Sequence, residues 1–376
     1  MRNRRKWLLL LAVIAAMIFG GCQAHGDEGT PDEEGLFMLG DMKVAAYINT
    51  WGNWKAKNIR GEYLSDLILA FALINSSTYS SITMNGFTGL WEEVAELKET
   101  WPDLKVTLSV GGANEKGFPN MSADAGKRAA FISDICAWMK NRDLDGVDID
   151  WEFPQNSAQW RNYISLLRET RNALDKLTEE TGKQYSLSSA VSASYSDSML
   201  QAAEFADTLK VMNYDYYGSW SGVTGHNANL YNNPRKQNDM STDKSISGYL
   251  KAGVPSGKIM LGVAFYGKVW NNVSPGSYTD TPGLYQSSTA YDSEKSWVFI
   301  RNYLADSRYT RYWDDSAQAP FLYNASDKKW VSYTDPQQIQ RLAAYGKEKK
   351  LGGVFAWEYS QDSDAELLQA LAENVK

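Results

Sequence analysis

Short apolar runs alternate along most of the chain with longer segments whose apolar residues recur at helical spacing. We predict eight strands from these runs: Lys43–Ile48, Leu67–Ile74, Lys105–Val110, Gly146–Asp150, Ser186–Ala190, Leu209–Tyr214, Lys258–Val263 and Gly353–Trp357. The clearest predicted helices are Leu90–Glu99, Ala125–Arg142, Trp160–Thr181, Asp243–Ala252 and Pro336–Lys349. Eight strands, each followed by a crossover, favour an α/β fold of the (β/α)8 TIM barrel type. A doubly wound open sheet is the alternative, but its phosphate-binding glycine turn is not matched by Gly111-Gly112.

The interval between the seventh and eighth predicted strands is too long for a single helix. From about Lys268 to Tyr333 it is rich in Tyr, Trp, Ser and turn residues. We therefore predict a catalytic barrel over residues 41–376 with a small α+β subdomain, residues 268–333, inserted between strands 7 and 8. This subdomain is expected to be mostly strand, with one helix near Ser296–Leu304. Insertions at that end of a barrel form a wall on the side where active sites lie.

The first residues are typical of a targeting segment. A basic stretch over residues 2–6 precedes the apolar run Trp7–Phe19, and Gly20-Gly21-Cys22 follows. Cysteine after two small residues resembles a bacterial lipoprotein cleavage site, which predicts lipidation of Cys22 and a protein held at the cell surface. Ordinary secretion and an uncleaved anchor are the alternatives. Residues 23–40 are polar and glycine-rich and predict a flexible tether.

Composition narrows the classes of function. A formal net charge of −7 over 376 residues argues against nucleic-acid binding. Cys22 and Cys136 are the only cysteines, so no disulfide framework is expected. The two histidines, His25 and His226, are too far apart in the chain to suggest a metal site, and we predict neither metal nor cofactor. The 14 Trp and 22 Tyr serve core packing or a sugar-binding cleft. We expect a monomer.

The fourth predicted strand contains the candidate chemistry. Asp148, Asp150 and Glu152 recur at a spacing of two, which points all three to one face, with Val147, Ile149 and Trp151 on the other. Carboxylates crowded into a cavity cannot all ionise, so a proton should be shared among them. Glu152 is nearest the carboxyl end of the strand, where barrel enzymes bind substrate. A carboxyl kept protonated there is a candidate general acid.

The motif Asp145-Gly146-Val147-Asp148-Ile149-Asp150-Trp151-Glu152 resembles the signature of the family 18 glycoside hydrolases, the chitinases. Further similar motifs are Ser109-Val110-Gly111-Gly112, Met212-Asn213-Tyr214-Asp215 and Gly353-Val354-Phe355-Ala356-Trp357-Glu358. The inserted segment resembles the family's insertion domain at Thr310–Asp315 and Pro320–Asn324. The resemblance covers roughly residues 41–376. It implies a hydrolase that cleaves β-1,4-linked N-acetylglucosamine polymers with retention of configuration.

The resemblance also implies roles for single residues. Glu152 would protonate the glycosidic oxygen while the substrate's own acetamido group attacks the anomeric carbon and forms an oxazolinium ion. Asp150 would bind the acetamido N–H, and Asp148 would share a proton with Asp150. Tyr214 would hold the acetamido oxygen. The remaining expected substrate contacts are Tyr47, Met212, Asp215, Trp220, Tyr266 and Trp357. For Met212 and Tyr266, simple core packing is the alternative.

The chain departs from the family pattern in two places. Tryptophan often follows the Ser-x-Gly-Gly turn and stacks on a sugar beyond the cleavage point, whereas Ala113-Asn114-Glu115 follows here. Trp220 is the candidate to compensate. The seventh strand's motif often continues with arginine, and here it is Lys268, a point charge instead of a planar fork. Both departures affect expected sugar binding more than the reaction.

Two rival functions are open at this point. The same chemistry would serve an endo-β-N-acetylglucosaminidase acting on N-glycans or on a cell-envelope glycan. A non-catalytic chitin-binding lectin on the same barrel belongs to another class. Silent relatives typically lack the terminal glutamate of the motif, and Glu152 is present. The chitinase reading is favoured over the glycan reading because the insertion deepens a groove for a linear polymer.

Overall fold

The computed structural model describes residues 42–236, 238–288 and 290–375. The predicted signal segment, tether and lipidation site at Cys22 lie outside the described residues. Among the described residues, no helix combines the length and apolar character needed to cross a bilayer.

Within the described ranges, fourteen strands form two sheets. They are β1 (Lys43–Asn49), β2 (Asp66–Ile74), β3 (Ile82–Met84), β4 (Lys105–Gly111), β5 (Gly146–Asp150), β6 (Ser186–Ser192), β7 (Thr208–Met212), β8 (Ile259–Ala264), β9 (Tyr266–Trp270), β10 (Tyr291–Ser296), β11 (Thr310–Asp314), β12 (Ala319–Asn324), β13 (Lys329–Ser332) and β14 (Gly353–Trp357). The first sheet runs β1-β14-β8-β7-β6-β5-β4-β2 in parallel, and pairing of β1 with β2 closes it. The predicted (β/α)8 barrel is confirmed.

Helices surround the barrel, except for the seventh, which belongs to the inserted segment. They are α1 (Leu90–Thr100), α2 (Phe118–Ser122), α3 (Ala125–Asn141), α4 (Ser157–Thr181), α5 (Ser198–Phe205), α6 (Thr242–Lys251), α7 (Trp297–Ala305), α8 (Pro336–Glu348) and α9 (Glu366–Val375). The longest, α4, begins where Asn156 accepts hydrogen bonds from the backbone N–H groups of Ala158 and Gln159. It ends at Gly182, whose φ of 75° is a left-handed conformation that glycine adopts without strain.

The alternation along β5 decides which side chains enter the barrel. Val147 and Ile149 are fully buried in the main apolar core. Trp151 stacks on Phe118 of α2, with ring centroids 5.2 Å apart and 7° between the planes. Asp148 therefore faces the barrel interior, two residues before Asp150. Because one face of the strand is anchored in an apolar layer, a one-residue slip of register would bury the carboxylates in that layer.

The second sheet is antiparallel, in the order β10-β9-β13-β12-β11, and lies between the seventh barrel strand, β8, and the eighth, β14. An aromatic cluster that includes Trp270, Phe321 and Trp330 forms its core. With α7 it makes the small α+β insertion that was predicted. Tyr266, expected at the end of a barrel strand, is instead the first residue of β9.

The sequence patterns missed several short elements and one terminal helix: β3, α2, α5 and α9. The eight-residue helix α5 is short for a clear helical period, and β3 has only three residues. The sixth barrel strand, β7, ends at Met212 and not at the predicted Tyr214. Tyr214 and Asp215 thus lie in the loop beyond the strand, and Asp215 has a φ of 61°.

Candidate active site

A cavity of about 780 Å³ opens at the carboxyl ends of the barrel strands. Eight of the ten predicted catalytic and substrate-binding residues line it: Tyr47, Asp150, Glu152, Met212, Tyr214, Asp215, Tyr266 and Trp357. Asp148 does not, because it lies fully buried beneath the cavity. Trp220 is not among the lining residues either. The barrel thus assembles residues from β1, β5, the loop after β7, the start of β9 and the end of β14.

Solvent exposure increases along the three carboxylates, from Asp148 within β5 to Glu152 just beyond its carboxyl end. Asp148 is inaccessible to solvent, Asp150 is 3% exposed, and Glu152 is half-buried. Asp148 accepts hydrogen bonds from Tyr47 Oη at 2.8 Å and Ser109 Oγ at 2.8 Å on one oxygen. Its other oxygen accepts from Ser188 Oγ at 2.7 Å and Lys210 Nζ at 2.9 Å. Both oxygens of Asp148 are therefore occupied by donors.

The protonation states follow from these contacts. Burial acts to raise the pKa of the Asp148 carboxyl, but the charge of Lys210 and the hydrogen bonds outweigh it and lower the pKa. The pKa of Asp150 lies well above its ordinary value because burial is joined by the charges of Glu152 and Asp148. These directions favour an ionised Asp148 beside Lys210 and a proton on Asp150. The predicted sharing of a proton between Asp148 and Asp150 stays a prediction.

Glu152 has the properties of a general acid. Burial, together with the charge of Asp215, raises the pKa of its carboxyl to about 7, and Lys116 opposes this rise. A carboxyl with such a pKa is about half protonated at neutral pH and can both donate and accept a proton readily. The residue therefore meets both requirements of a group that first donates and then accepts a proton.

Polar groups on the insertion side hold Asp215. Tyr266 Oη donates to Asp215 Oδ1 at 2.5 Å, and Lys268 Nζ lies 2.6 Å from the same oxygen. The backbone N–H of Asp215 donates to Asn227 Oδ1 at 3.2 Å. Tyr214 packs edge to face against Tyr266, with ring centroids 6.2 Å apart. The insertion thus fixes the position of a carboxylate whose charge reaches Glu152.

Aromatic rings form one wall of the cavity. Trp357 stacks on Phe71 at a centroid distance of 5.6 Å and an interplanar angle of 22°. Tyr47 contacts the Trp357 ring at 5.5 Å. Trp357 is half-buried, so part of its indole is open to the cavity. An apolar face of this kind suits the flat side of a pyranose ring.

Trp220, a predicted substrate contact, lies outside the lining of the cavity. It is 64% exposed, and its ring lies 4.4 Å from Lys268 Nζ. Lys268 itself is completely buried. The indole therefore covers the ammonium group that contacts Asp215.

The sequence patterns missed Lys210, Ser109, Ser188 and Glu294 as site residues. The signal for Lys210 was present, since it is a lysine within the apolar run Leu209–Met212 and in phase with the barrel interior. Glu294 is in β10 and lines the cavity, 3.5 Å from Lys268 Nζ. Nothing local in the sequence relates it to β5. Within the described ranges, no group of three or more His, Cys, Asp or Glu could hold a metal ion.

The fold and the site define a glycoside hydrolase class. The sequence model of "Glycosyl hydrolases family 18" matches residues 43–362, and the chain belongs to this family. Chitinase A1 of Niallia circulans is 33% identical over 75% of this chain and 44% of the relative. A cell-surface-expressed, multi-modular chitinase from Paenibacillus sp. str. FPU-7 has a TM-score of 0.83 and 28% identity, over 89% of this chain and 43% of that one. This chain therefore spans under half the length of these two relatives.

A third similar structure is a family 18 N-acetylglucosaminidase from Paenibacillus barengoltzii. It has a TM-score of 0.80 and 30% identity, and the match covers 89% of this chain and 100% of that one. The family predicted from the sequence motifs is confirmed.

Proposed function

We propose that this protein hydrolyses β-1,4-linked N-acetylglucosamine chains, chitin and its oligosaccharides, with retention of configuration. One observation supports this above the others. Glu152, with a pKa of about 7, stands at the mouth of a cavity directly above Asp150, whose Oδ1 is buried and has no hydrogen-bond partner among the described residues. A proton donor and a vacant acceptor two positions apart fit a sugar that carries both a glycosidic oxygen and an acetamido N–H.

In the first step, the glycosidic oxygen takes the Glu152 proton as its bond to the anomeric carbon breaks. The acetamido carbonyl oxygen bonds to that carbon from the opposite face and gives an oxazolinium ion. Asp150 Oδ1 accepts the acetamido N–H, and Tyr214 holds the acetamido oxygen. Tyr47, Met212, Asp215, Tyr266 and Trp357 bind the surrounding sugar.

In the second step, water attacks the anomeric carbon from the side that the leaving sugar occupied. Glu152 takes a proton from this water, and the bond to the acetamido oxygen breaks. Two inversions give net retention. Asp148 does not touch the substrate in this scheme. The charge of Asp148 raises the pKa of Asp150 and so favours the proton there, while the charge of Lys210 opposes this rise.

Product analysis tests the proposal. Chitotetraose and chitohexaose should be cleaved, and ¹H NMR should detect the β-anomer first. Fully deacetylated chitosan should not be cleaved, since it lacks the attacking group. Rapid cleavage of deacetylated chitosan would refute participation of the acetamido group.

Replacement of Glu152 by Gln should lower kcat on chitooligosaccharides by about 10²–10⁴-fold, because no protonated acid remains. Binding of the oligosaccharide, followed by calorimetry, should persist. Retention of more than a tenth of the wild-type turnover would contradict the assignment of Glu152. Loss of catalysis with retained binding also separates an enzyme from a lectin.

A second candidate is an N-acetylglucosaminidase acting on another glycan. It is favoured by the likeness to the Paenibacillus barengoltzii enzyme over that enzyme's whole length. The small residues Ala113 and Asn114, which line the cavity where an aromatic residue is common, also favour it. A high-mannose glycoprotein assayed beside chitohexaose decides between the two, according to which is cleaved faster.

We further propose that the protein is a monomer attached to the outer cell surface through lipidated Cys22. The basic and apolar N-terminal pattern and the small residues before Cys22 support the anchor. A single chain supplies every group in the scheme above, which supports a monomer. The mature protein should partition into detergent and Cys22→Ala should not. Light scattering of the soluble catalytic region reports its mass.

A further inference from the structure

A second groove adjoins the catalytic cavity and lies between the carboxyl ends of β2 and β4. Its volume is about 400 Å³, beside about 780 Å³ for the cavity. Leu73 and Asn114 line both spaces, so the two adjoin at these residues. The loop between β2 and β3, β3 itself and the loop after β4 form the walls. None of these segments belongs to the insertion.

The walls of the groove are held in place by hydrogen bonds. Glu115 accepts one from the backbone N–H of Ile74 at 2.8 Å and another from Gly117, which ties the loop after β4 to the end of β2. Asp134 of α3 accepts one from the backbone N–H of Ile82 at 2.8 Å, which fixes β3 to the barrel. The groove is therefore preformed, and a ligand would lose little free energy in ordering it.

The side chains where the cavity meets the groove leave room for a ligand. Ala113, a small residue next to Asn114, lines the cavity and is exposed. Leu73 is 39% exposed and offers an apolar surface at the junction. Leu73 and Thr83 are paired across β2 and β3, so their side chains share one face of the sheet.

The groups that line the groove match a neutral, polyhydroxylated ring. Hydroxyls come from Ser76 and Thr83, and amides from Asn75 and Asn114. Tyr79 adds an aromatic ring, steadied by Lys127 Nζ at 5.3 Å from its centroid. The charge of Glu115 is already met by backbone donors, so it does not repel an uncharged ligand. An apolar surface with a few convergent polar groups is the usual composition of a sugar site.

We propose that this side groove binds a pyranose unit joined to the sugar that occupies the catalytic cavity beside Ala113 and Asn114. The proposal rests on the function proposed above and narrows its substrate class. The unit comes either from the next residue of a linear chain or from a branch. Both present the same ring and hydroxyl groups to the groove.

Filling the groove tests the proposal. Thr83→Trp places an indole in the groove from an exposed position on β3, and Ser76→Trp does so from the β2–β3 loop. Thr88→Trp is the matched control, since Thr88 is exposed and lines neither space. Each variant is assayed on an aryl β-chitobioside, chitohexaose and a high-mannose glycopeptide. Melting temperatures identify any variant that fails to fold. If one groove variant fails, the proposal is tested with the other.

We expect kcat/KM of the groove variants to fall about tenfold, which corresponds to about 1.4 kcal/mol, on a substrate that reaches the groove. The groove variants should hydrolyse the aryl chitobioside as fast as the wild type does. The Thr88→Trp control should match the wild type on all three substrates. A loss on chitohexaose identifies the linear chain as occupant, and a loss on the glycopeptide alone identifies a branch. Equal activity of folded groove variants and wild type on both substrates would overturn the proposal.

Failure of the proposed function gives a different result. If the wild type cleaves none of the three substrates, the proposed function is refuted. Binding measurements then still test whether the groove binds sugar. Calorimetry on Glu152→Gln, with and without Thr83→Trp, measures the affinity for chitohexaose and the glycopeptide. An affinity loss caused by Thr83→Trp supports the groove, and unchanged affinity for both ligands refutes it.

Discussion

Two lysine–aspartate pairs act on the two central carboxyl groups, and they are built in different surroundings. Lys210 and Asp148 lie inside the barrel, with side chains 4% and 0% exposed. Lys268 and Asp215 lie at the rim, where the lysine is fully buried but the aspartate side chain is 45% exposed. The first pair sits beneath Asp150, and the second influences Glu152 through Asp215.

The difference shows how one barrel separates two protonation tasks. The deep pair is surrounded by strands that the fold itself requires, so water cannot hydrate the remaining charge when one partner is lost. The rim pair depends on β9 of the insertion and on the cover given by Trp220, and water reaches its carboxylate. We therefore expect changes in the deep pair to affect folding and changes in the rim pair to affect pH dependence.

The largest expected effect comes from Lys210→Met. It leaves Asp148 as a buried charge without its cation, which should cost about 3–5 kcal/mol of unfolding free energy. Urea unfolding followed by tryptophan fluorescence measures it. Lys105→Met, at an exposed position on β4, is the control and should change stability little. Equal stability of the two variants would contradict the prediction, because it would mean that Asp148 does not need the charge of Lys210.

Lys268→Met should have a smaller effect on stability and a clear one on activity. Asp215 can be hydrated when its partner is lost, so the unfolding free energy should fall by no more than about 1 kcal/mol. Asp215 also loses its fixed position, and kcat/KM should fall about tenfold. Lys268→Arg should restore most of the activity because it returns the charge. A stability loss as large as that of Lys210→Met would remove the distinction between the pairs.

The pH profile sharpens the same comparison. The pKa of Glu152 is raised to about 7, so the acid is protonated below that pH and kcat/KM should fall as pH rises through 7. In Lys268→Met the charge of Asp215 is less balanced, and the alkaline limb should move upward by roughly one unit. If the pH midpoint of the alkaline limb is the same in Lys268→Met and wild type, the rim pair does not act on Glu152. Initial rates at saturating and limiting substrate give the profile.

Trp220→Ala should have the smallest effect, about threefold in kcat/KM, because a partly exposed cation–π contact contributes about 0.5–1 kcal/mol. If Trp220 acts by covering Lys268, the loss should be the same for an aryl chitobioside and for chitohexaose. If it stacks on sugar, the loss should grow with chain length and appear in KM. The comparison of the two substrates distinguishes these roles.

Much of the fold and of the reaction centre was determined by the sequence alone. The spacing of Asp148, Asp150 and Glu152 fixes their common face, because side chains alternate along any strand. The apolar residues between them fix which face enters the core. Eight apolar runs with crossovers were enough to predict the barrel, and the family motifs identified Glu152 as the general acid. These are local properties, which a strand retains wherever it is placed.

Tertiary structure decided which residues surround those carboxyls. Lys210 reaches Asp148 from a strand 62 residues away, and only closure of the barrel brings the two together. The charge of Lys210 lowers the pKa of Asp148, which favours a proton on Asp150 over one on Asp148. Trp220 covers Lys268, and the groove beyond Leu73 exists because loops from β2 and β4 meet around Glu115. Such contacts depend on loop paths and side-chain directions, which no periodicity in the sequence encodes.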